Sequence, residues 1–231
     1  MRLVAGLTVP HHLLARDLIA QAFRFASAGK YSLIVLMSPD HYYLGRTDVS
    51  VSSADFSTVF GTLPADLTAA ARLKQLPFVS EQSFFYREHG LGAELPFIKY
   101  YFPGAKVLAL TIKESTPPGE INQLVDALKN IVDDKTLVVQ STDFSHYLTP
   151  AAANERDSQT LRVLKEGNAE AILQLDQPQN IDSTAAQYIQ MRLQQEIFHS
   201  QLQIPAHKNS QDYTSEPVAS STSYIVEAWV K

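Results

Sequence analysis

Residues 136–147 read TLVVQSTDFSHY and contain the clearest strand signal of the chain. Thr136–Ser141 is short, apolar and rich in β-branched side chains, which is typical of a strand buried on both faces. Polar residues follow this strand at once and end in His146. The segment therefore predicts a buried strand that brings a histidine to one edge of a sheet.

Two other apolar segments end in the same way. Residues 3–9 lead to His11, and residues 32–37 lead to His41. Ligands of open α/β sheets bind outside the carboxyl ends of the strands, so histidines that follow parallel strands are expected to meet there. Imidazole is the commonest metal-binding side chain. The three segments together predict a metal site made from distant parts of the chain.

Predicted helices alternate with the predicted strands. This alternation favours crossover units and a largely parallel sheet covered by helices. We predict an α/β fold with one domain, residues 1–231, and a mostly parallel central sheet flanked by helices. We expect strands at 3–9, 31–37, 105–112, 136–141 and 223–230, helices at 12–28, 63–76, 91–102, 117–132, 150–166, 169–175 and 183–200, and a loop at 201–220.

The composition excludes several kinds of site. The chain has 231 residues, no cysteine and a formal net charge of −5. Disulfides, thiolate nucleophiles and iron–sulfur clusters are therefore excluded, and histidine and carboxylate remain as metal ligands. The negative charge argues against a nucleic-acid partner, which requires a basic face. No apolar run approaches the ~18 residues of a membrane span, so we expect no membrane partner and a cytoplasmic location.

Several polar residues also have a simpler structural explanation. His12 fits the first residue of a helix, and Asp143 fits a turn in which its side chain accepts backbone N–H groups. His89 precedes a predicted helix instead of following a strand. His199 and His207 lie in polar segments, where a solvated role is favoured.

Four segments, taken in order, resemble the Memo family, also called AmmeMemoRadiSam system protein B. They are Val9-Pro10-His11, Ser38-Pro39-Asp40-His41, the segment from Glu88-His89 to Leu95-Pro96, and the segment from Ser141-Thr142-Asp143 to His146-Tyr147. The resemblance spans nearly the whole chain, and its last two segments are fairly specific when they occur together.

The resemblance implies a fold similar to the LigB-like class III extradiol dioxygenases, in which two histidines and one carboxylate hold a non-haem iron(II). It implies that His11 and His41 are metal ligands and that His146 is an acid/base residue or a further ligand. Memo proteins use a cysteine as the third ligand, and this chain has Asp182 at that position. Asp182 either restores the two-histidine, one-carboxylate set of iron(II) oxygenases or is the N-cap of the helix predicted from residue 183.

Other pocket residues follow from the same alignment. Asp40 and Asp143 are the nearest candidates to hold the second ring nitrogens of the ligating histidines. Glu94 stands where the family has a histidine, and it is either a carboxylate near the site or a solvated residue. Tyr42 and Tyr147 either line an aromatic-accepting pocket or lie at its rim with half-buried rings.

The expected function is metal binding in a His-based pocket. Iron(II) is favoured because thiolate is absent, with zinc, manganese and copper as alternatives. We expect a dioxygenase-like enzyme that acts on a small molecule. The alternatives are a non-catalytic module that holds a peptide or metabolite in the same pocket, and a metal-free structural relative. The family name also implies association with radical-SAM and AMMECR-type proteins.

Overall fold

The centre of the sheet consists of parallel strands, as predicted. The computed structural model describes residues 3–231. Its central strands lie in the order β1 (Val4–Val9), β8 (Thr136–Ser141), β2 (Leu33–Pro39) and β7 (Lys106–Ile112), and each is parallel to its neighbours. Nearly all of their side chains are buried, because helices cover both faces of the sheet.

Antiparallel strands extend the sheet on both sides. Beside β1 lies β11 (Ser221–Val230), and β10 (Gln201–Asn209) forms the edge beyond it. On the other side β3 (Val49–Val51) pairs with β7, and β6 (Val79–Glu81) lies beyond β3. The fold class is therefore α/β with a mixed sheet whose centre is parallel.

The remaining elements lie on or beside this sheet. A strand β9 (His146–Leu148) pairs with the start of β11, and β4 (Phe56–Thr58) and β5 (Gly61–Leu63) form a separate hairpin. The α-helices are α1 (Arg16–Ala26), α2 (Leu67–Leu73), α3 (His89–Gly92), α4 (Leu95–Tyr101), α5 (Pro118–Lys129), α6 (Pro150–Glu166), α7 (Ala169–Ile172) and α8 (Thr184–Leu193). None of the helices within residues 3–231 has the length and apolar character that a membrane crossing requires.

The loop predicted at 201–220 is wrong for its first half, which forms β10. This strand lies at the sheet edge and has neighbours on one side only. Its residues are mostly exposed or half-buried, so it lacks the continuous apolar run that identifies a buried strand. A bulge between Gln203 and Ala206 accommodates Pro205, a residue that a central strand does not tolerate.

The ends of the long helices are set by local sequence. Thr149 caps α6 by accepting the N–H of Ala152, and Gly167 ends that helix in the left-handed conformation at φ 69°, where glycine costs least. Ser183 caps α8 by accepting the N–H of Ala186. Because Ser183 fills this position, Asp182 is not the N-cap, and its carboxylate is available for another role.

Candidate metal centre

The carboxyl edge of the parallel strands brings His11 and His41 together with Asp182. His11 follows β1 and His41 follows β2, and their ring centroids are 4.7 Å apart with the planes nearly perpendicular. Asp182 comes from the loop before α8 and is held by a backbone N–H donated to the Asp143 carbonyl at 3.1 Å. One Asp182 oxygen, Oδ2, lies 3.2 Å from His11 Nε2 and 3.6 Å from His41 Nε2.

Hydrogen bonds fix which nitrogen of the His11 ring is available. Ser141 Oγ donates to the Gly90 carbonyl at 2.5 Å, so its lone pairs accept from His11 Nδ1 at 3.1 Å. In a neutral ring the proton is then on Nδ1, and Nε2 carries a lone pair. His11 therefore turns a potential metal ligand atom toward Asp182.

His41 is fixed in the same orientation by Glu88. The two Glu88 oxygens accept His41 Nδ1–H at 2.6 Å and the His41 backbone N–H at 3.0 Å. His41 Nε2 and Asp182 Oδ1 are buried and have no hydrogen-bond partner among the described residues. Two lone pairs directed at a carboxylate repel it unless a proton or a metal ion lies between them. The donors present therefore fit a divalent cation.

The charges of these side chains are strongly coupled. Burial disfavours charged imidazole, but Asp182 and Glu88 outweigh that effect and raise the pKa of His41 to about 10. Burial acts against the His11 cation too, and Asp143 and Asp182 raise its pKa. Burial would raise the pKa of Asp182, but the His11 and His41 rings hold it well below its usual range. Without a metal, protons therefore occupy this cluster.

His89 is a member of the cluster that the sequence did not single out. Its ring centroid lies 4.9 Å from that of His11 and 4.1 Å from that of His41, and one nitrogen from each of the three rings lies within 4.8 Å of the others. Burial and the neighbouring rings lower the pKa of His89 to about 4. His89 starts α3 instead of following a strand, so only its pairing with Glu88 in the family-like segment pointed to it.

Asp40 and Asp143 were predicted to hold the second ring nitrogens of the ligating histidines, and only Asp143 lies beside one of these rings. The expected contact between Asp40 and a ligating ring is wrong, because Asp40 accepts the N–H groups of Leu44 and Gly45 at 3.0 and 2.8 Å. It holds its own loop, and Glu88 takes the role expected of it. Asp143 does lie beside His11. Its Oδ1 accepts the His11 backbone N–H at 3.1 Å, and its Oδ2 is 3.6 Å from His11 Nε2.

His146 and the two predicted tyrosines lie around an open cavity of about 800 Å³ above the cluster. His146 Nδ1 donates to the Phe144 carbonyl, which leaves Nε2 as an acceptor in the neutral ring. Tyr42 and Tyr147 are 53% and 77% exposed, which makes them rim residues with exposed rings. The cavity is lined by His11, His12, Leu13, His41, Tyr42, His89, Gly92, Ala93, Asp143, His146, Tyr147 and Thr222.

Glu94 is completely buried, so the expectation of a solvated residue is wrong. Neither of its carboxylate oxygens has a hydrogen-bond partner among the described residues. Burial, assisted by the charge of Asp143, raises the pKa of Glu94 well above its ordinary value. Burial therefore favours the neutral form of Glu94, which directly follows Ala93 of the cavity lining.

The family model described as Memo-like protein matches residues 4–227. The chain belongs to the Memo-like family. A MEMO1 family protein of Methanosarcina acetivorans is 30% identical over 186 residues, which are 79% of this chain and 66% of that protein. A MEMO1 family protein of Caldivirga maquilingensis is 25% identical over 166 residues, 68% of this chain and 58% of that protein.

The likeness to these Memo-like relatives is partial in length. The matched regions span 58% and 60% of the Caldivirga maquilingensis and Thermotoga petrophila proteins. Among solved structures, an uncharacterized Escherichia coli K12 protein superposes with a TM-score of 0.58 at 14% identity. The match covers 96% of this chain and 99% of that one. Because the sequence identity is low, the match supports only the fold of this Memo-like chain.

Proposed function

We propose that this protein holds a divalent metal ion with His11, His41 and Asp182 and acts on a small organic molecule as a dioxygenase-like enzyme. The supporting observation is that both Nδ1 atoms are committed to Ser141 and Glu88 while both Nε2 atoms face the same buried carboxylate. Two histidines and one carboxylate form the facial set of non-haem iron(II) oxygenases. His89 lies beside this set as a further ligand or a pocket base.

Iron(II) is the metal that we propose, because thiolate is absent and imidazole is combined with carboxylate. When bound, iron(II) would supply a Lewis acid with open positions for dioxygen and a bidentate substrate. Zinc, manganese and copper are the alternatives, and metal analysis of the purified protein distinguishes them from iron.

The chain itself supplies the proton acceptor and the walls of the site. His146 Nε2 accepts a proton from a substrate hydroxyl, because Nδ1 is committed to the Phe144 carbonyl. The rim tyrosines Tyr42 and Tyr147 offer aromatic surface on two sides of the cavity. The buried carboxylate of Asp143 accepts the His11 backbone N–H and so holds the segment that carries His11.

The first experiment measures metal content after anaerobic loading of the purified protein with iron(II). The double variant His11→Ala/His41→Ala is expected to lose the metal, with His199→Ala as the matched control because His199 lies outside the cavity lining. Full metal content in the double variant would overturn the site. Calorimetry in buffers of different ionisation enthalpy should also show proton release at neutral pH, because the pKa of His41 is about 10 without metal and ligation requires the deprotonated ring.

The second experiment measures oxygen uptake by the iron-loaded protein with catechol-like substrates. His146→Ala is expected to keep the metal and to lose roughly 10²–10⁴-fold in rate, the usual contribution of a general acid or base. Uptake that does not depend on His146 would contradict its assigned role.

A non-catalytic binding module is the second candidate function. The observation that favours it is the exposed apolar rim of the cavity, where Leu13, Tyr42 and Tyr147 are 54%, 53% and 77% exposed. Aromatic rims of this kind also suit peptide binding. Metal binding without oxygen uptake for any catechol-like substrate would select this candidate over the enzyme.

A further inference from the structure

His12, which the sequence suggested to be an ordinary helix-terminus residue, forms part of the cavity wall. It precedes the short 3₁₀ turn Leu13–Ala15, and its side chain makes no capping hydrogen bond. The ring is instead held from behind by Tyr224, whose hydroxyl oxygen lies 2.7 Å from His12 Nδ1. Tyr224 is completely buried in β11, so the anchor is rigid.

The Tyr224 contact determines which His12 nitrogen carries the proton. Nδ1 is the only hydrogen-bond partner of the Tyr224 hydroxyl within residues 3–231. If Nδ1–H donated to it, the buried hydroxyl proton would have no acceptor, which costs about 1–3 kcal/mol. Tyr224 therefore donates to Nδ1, and the ring proton lies on Nε2.

The His12 Nε2–H has no partner of its own in the described chain, although the ring is exposed and lines the cavity. His146, in the same lining, has the opposite arrangement, with its donor committed to a backbone carbonyl and its acceptor nitrogen available. The cavity lining therefore includes a donor fixed on His12 and an acceptor fixed on His146. A hydrogen-bond donor to an anionic oxygen is about twice as strong as a donor to a neutral one.

We propose that His12, positioned by Tyr224, binds a carboxylate of the ligand and so selects acidic small molecules for this cavity. The inference rests on the proposed function, because the rest of the ligand is taken to reach the metal cluster. His12 would orient the ligand through its carboxylate, while the reacting end lies near His146.

The test compares catechol with protocatechuate, which is catechol that carries one carboxylate, on the zinc-loaded protein by calorimetry. Wild-type protein should bind protocatechuate more tightly than catechol. His12→Ala should lose about 10-fold or more in protocatechuate affinity, the worth of one charge-assisted hydrogen bond. The same variant should leave catechol affinity and metal content unchanged.

Two further variants separate ligand binding from a structural role. His12→Gln places an amide donor near the former Nε2 and should recover part of the preference. Tyr224→Phe keeps the aromatic ring of residue 224 but removes the hydroxyl that fixes the His12 tautomer. It should therefore reduce the preference for protocatechuate over catechol several-fold. Long-range ¹H–¹⁵N spectra of the metal-free protein should show His12 protonated on Nε2 in wild type and a mixture in Tyr224→Phe.

The outcomes distinguish this inference from the proposed function. Zinc-loaded protein that binds both probes equally, or a His12→Ala effect of equal size on both, contradicts the role of His12. A spectrum with the proton on Nδ1 contradicts the positioning by Tyr224. Protein that takes up no metal overturns the proposed function and this inference together, and the spectrum then still decides the tautomer.

Discussion

Two buried polar clusters lie against the same sheet, and their hydrogen bonds differ in kind. One is the candidate metal pocket, defined as His11, His41 and Asp182. The other is the α8 layer, defined as Gln187, Gln190, Gln194 and Glu227, all completely buried between α8 and strands β1, β8 and β11. A buried polar group costs free energy unless it is hydrogen-bonded, so each cluster requires an explanation.

In the α8 layer every amide donor has a structural acceptor. Gln190 Nε2 donates to the Leu7 and Val138 carbonyls at 3.2 and 3.3 Å, and Gln194 Nε2 donates to the Ala5 carbonyl at 3.3 Å. Gln187 donates to Glu227 at 3.0 Å. Among the polar atoms of this layer, only acceptor oxygens lack partners. This layer attaches α8 to the strands.

The candidate metal pocket has the opposite pattern. Its outer nitrogens are committed to Ser141 and Glu88, while the inner atoms converge on one point beside an open cavity. Burial of polar atoms alone therefore does not identify a site. Potential ligand atoms that converge on one point and have access to a cavity do.

The largest effect is expected when the carboxylate at the point of convergence is removed. Asp182→Ala should weaken metal binding by more than the roughly 10–100-fold that loss of an outer partner costs. Ser183→Ala is the matched control, because it removes the cap of α8 and costs about 1 kcal/mol of stability without affecting metal affinity. If both variants bound metal like wild type, Asp182 would not be a ligand. Calorimetric titration with iron(II) under anaerobic conditions measures the affinities.

The corresponding prediction for the α8 layer concerns how stability depends on the charge of Glu227. Burial raises the pKa of this carboxyl from its ordinary 4.5 to about 7. The folded protein therefore holds the proton more tightly than the unfolded chain, and stability should fall as pH rises from about 4.5 through about 7. Glu227→Gln should remove this slope and be more stable by up to about 3 kcal/mol above that range. Urea denaturation across pH checks it, and an unchanged slope would contradict the assignment.

Local signals predicted the parts of the fold that depend on short stretches of chain. The strand Thr136–Ser141 and the helix at 150–166 were predicted at the residues where the structure has them. The approach of His11 and His41 was predicted from strand ends alone, because parallel strands share a carboxyl edge.

The sequence did not predict the features that depend on tertiary contacts. Glu88, not Asp40, holds the His41 ring, because the loop of Asp40 folds back on its own backbone and α3 packs in from another part of the chain. The same packing brings His89 to the cluster. The edge strand β10 was missed because one of its faces is polar.

A smaller effect on metal affinity is expected from the outer partner of His41. Glu88→Gln keeps an acceptor for Nδ1 but removes the charge, and it should weaken metal binding by about 10-fold. Asp40→Asn is the control in the neighbouring loop, where the carboxylate contacts backbone N–H groups only. Equal loss of affinity in the two variants would contradict the assignment of Glu88 as the partner of His41.

The smallest effect on metal affinity is expected at Gly6, where side chains of the α8 layer lie against β1. A Cβ at Gly6 would lie 2.6 Å from Gln190 Nε2 and closer still to Gln194 Nε2. Both amides are buried and bonded to strand carbonyls, so Gly6→Ala should cost about 1–3 kcal/mol and leave metal affinity unchanged. Gly119→Ala in α5 is the control, because its Cβ meets nothing within 4 Å. Equal stability of the two variants by thermal denaturation would show that the layer tolerates displacement.

The account depends on a cation between two imidazole nitrogens and one carboxylate oxygen. Anomalous diffraction from crystals grown with iron(II) under anaerobic conditions tests it directly. We predict one strong peak at the iron edge within about 2.0–2.2 Å of His11 Nε2, His41 Nε2 and an Asp182 oxygen, as imidazole and carboxylate ligation requires. A metal bound elsewhere, or a cluster that stays metal-free at saturating iron, would contradict the account.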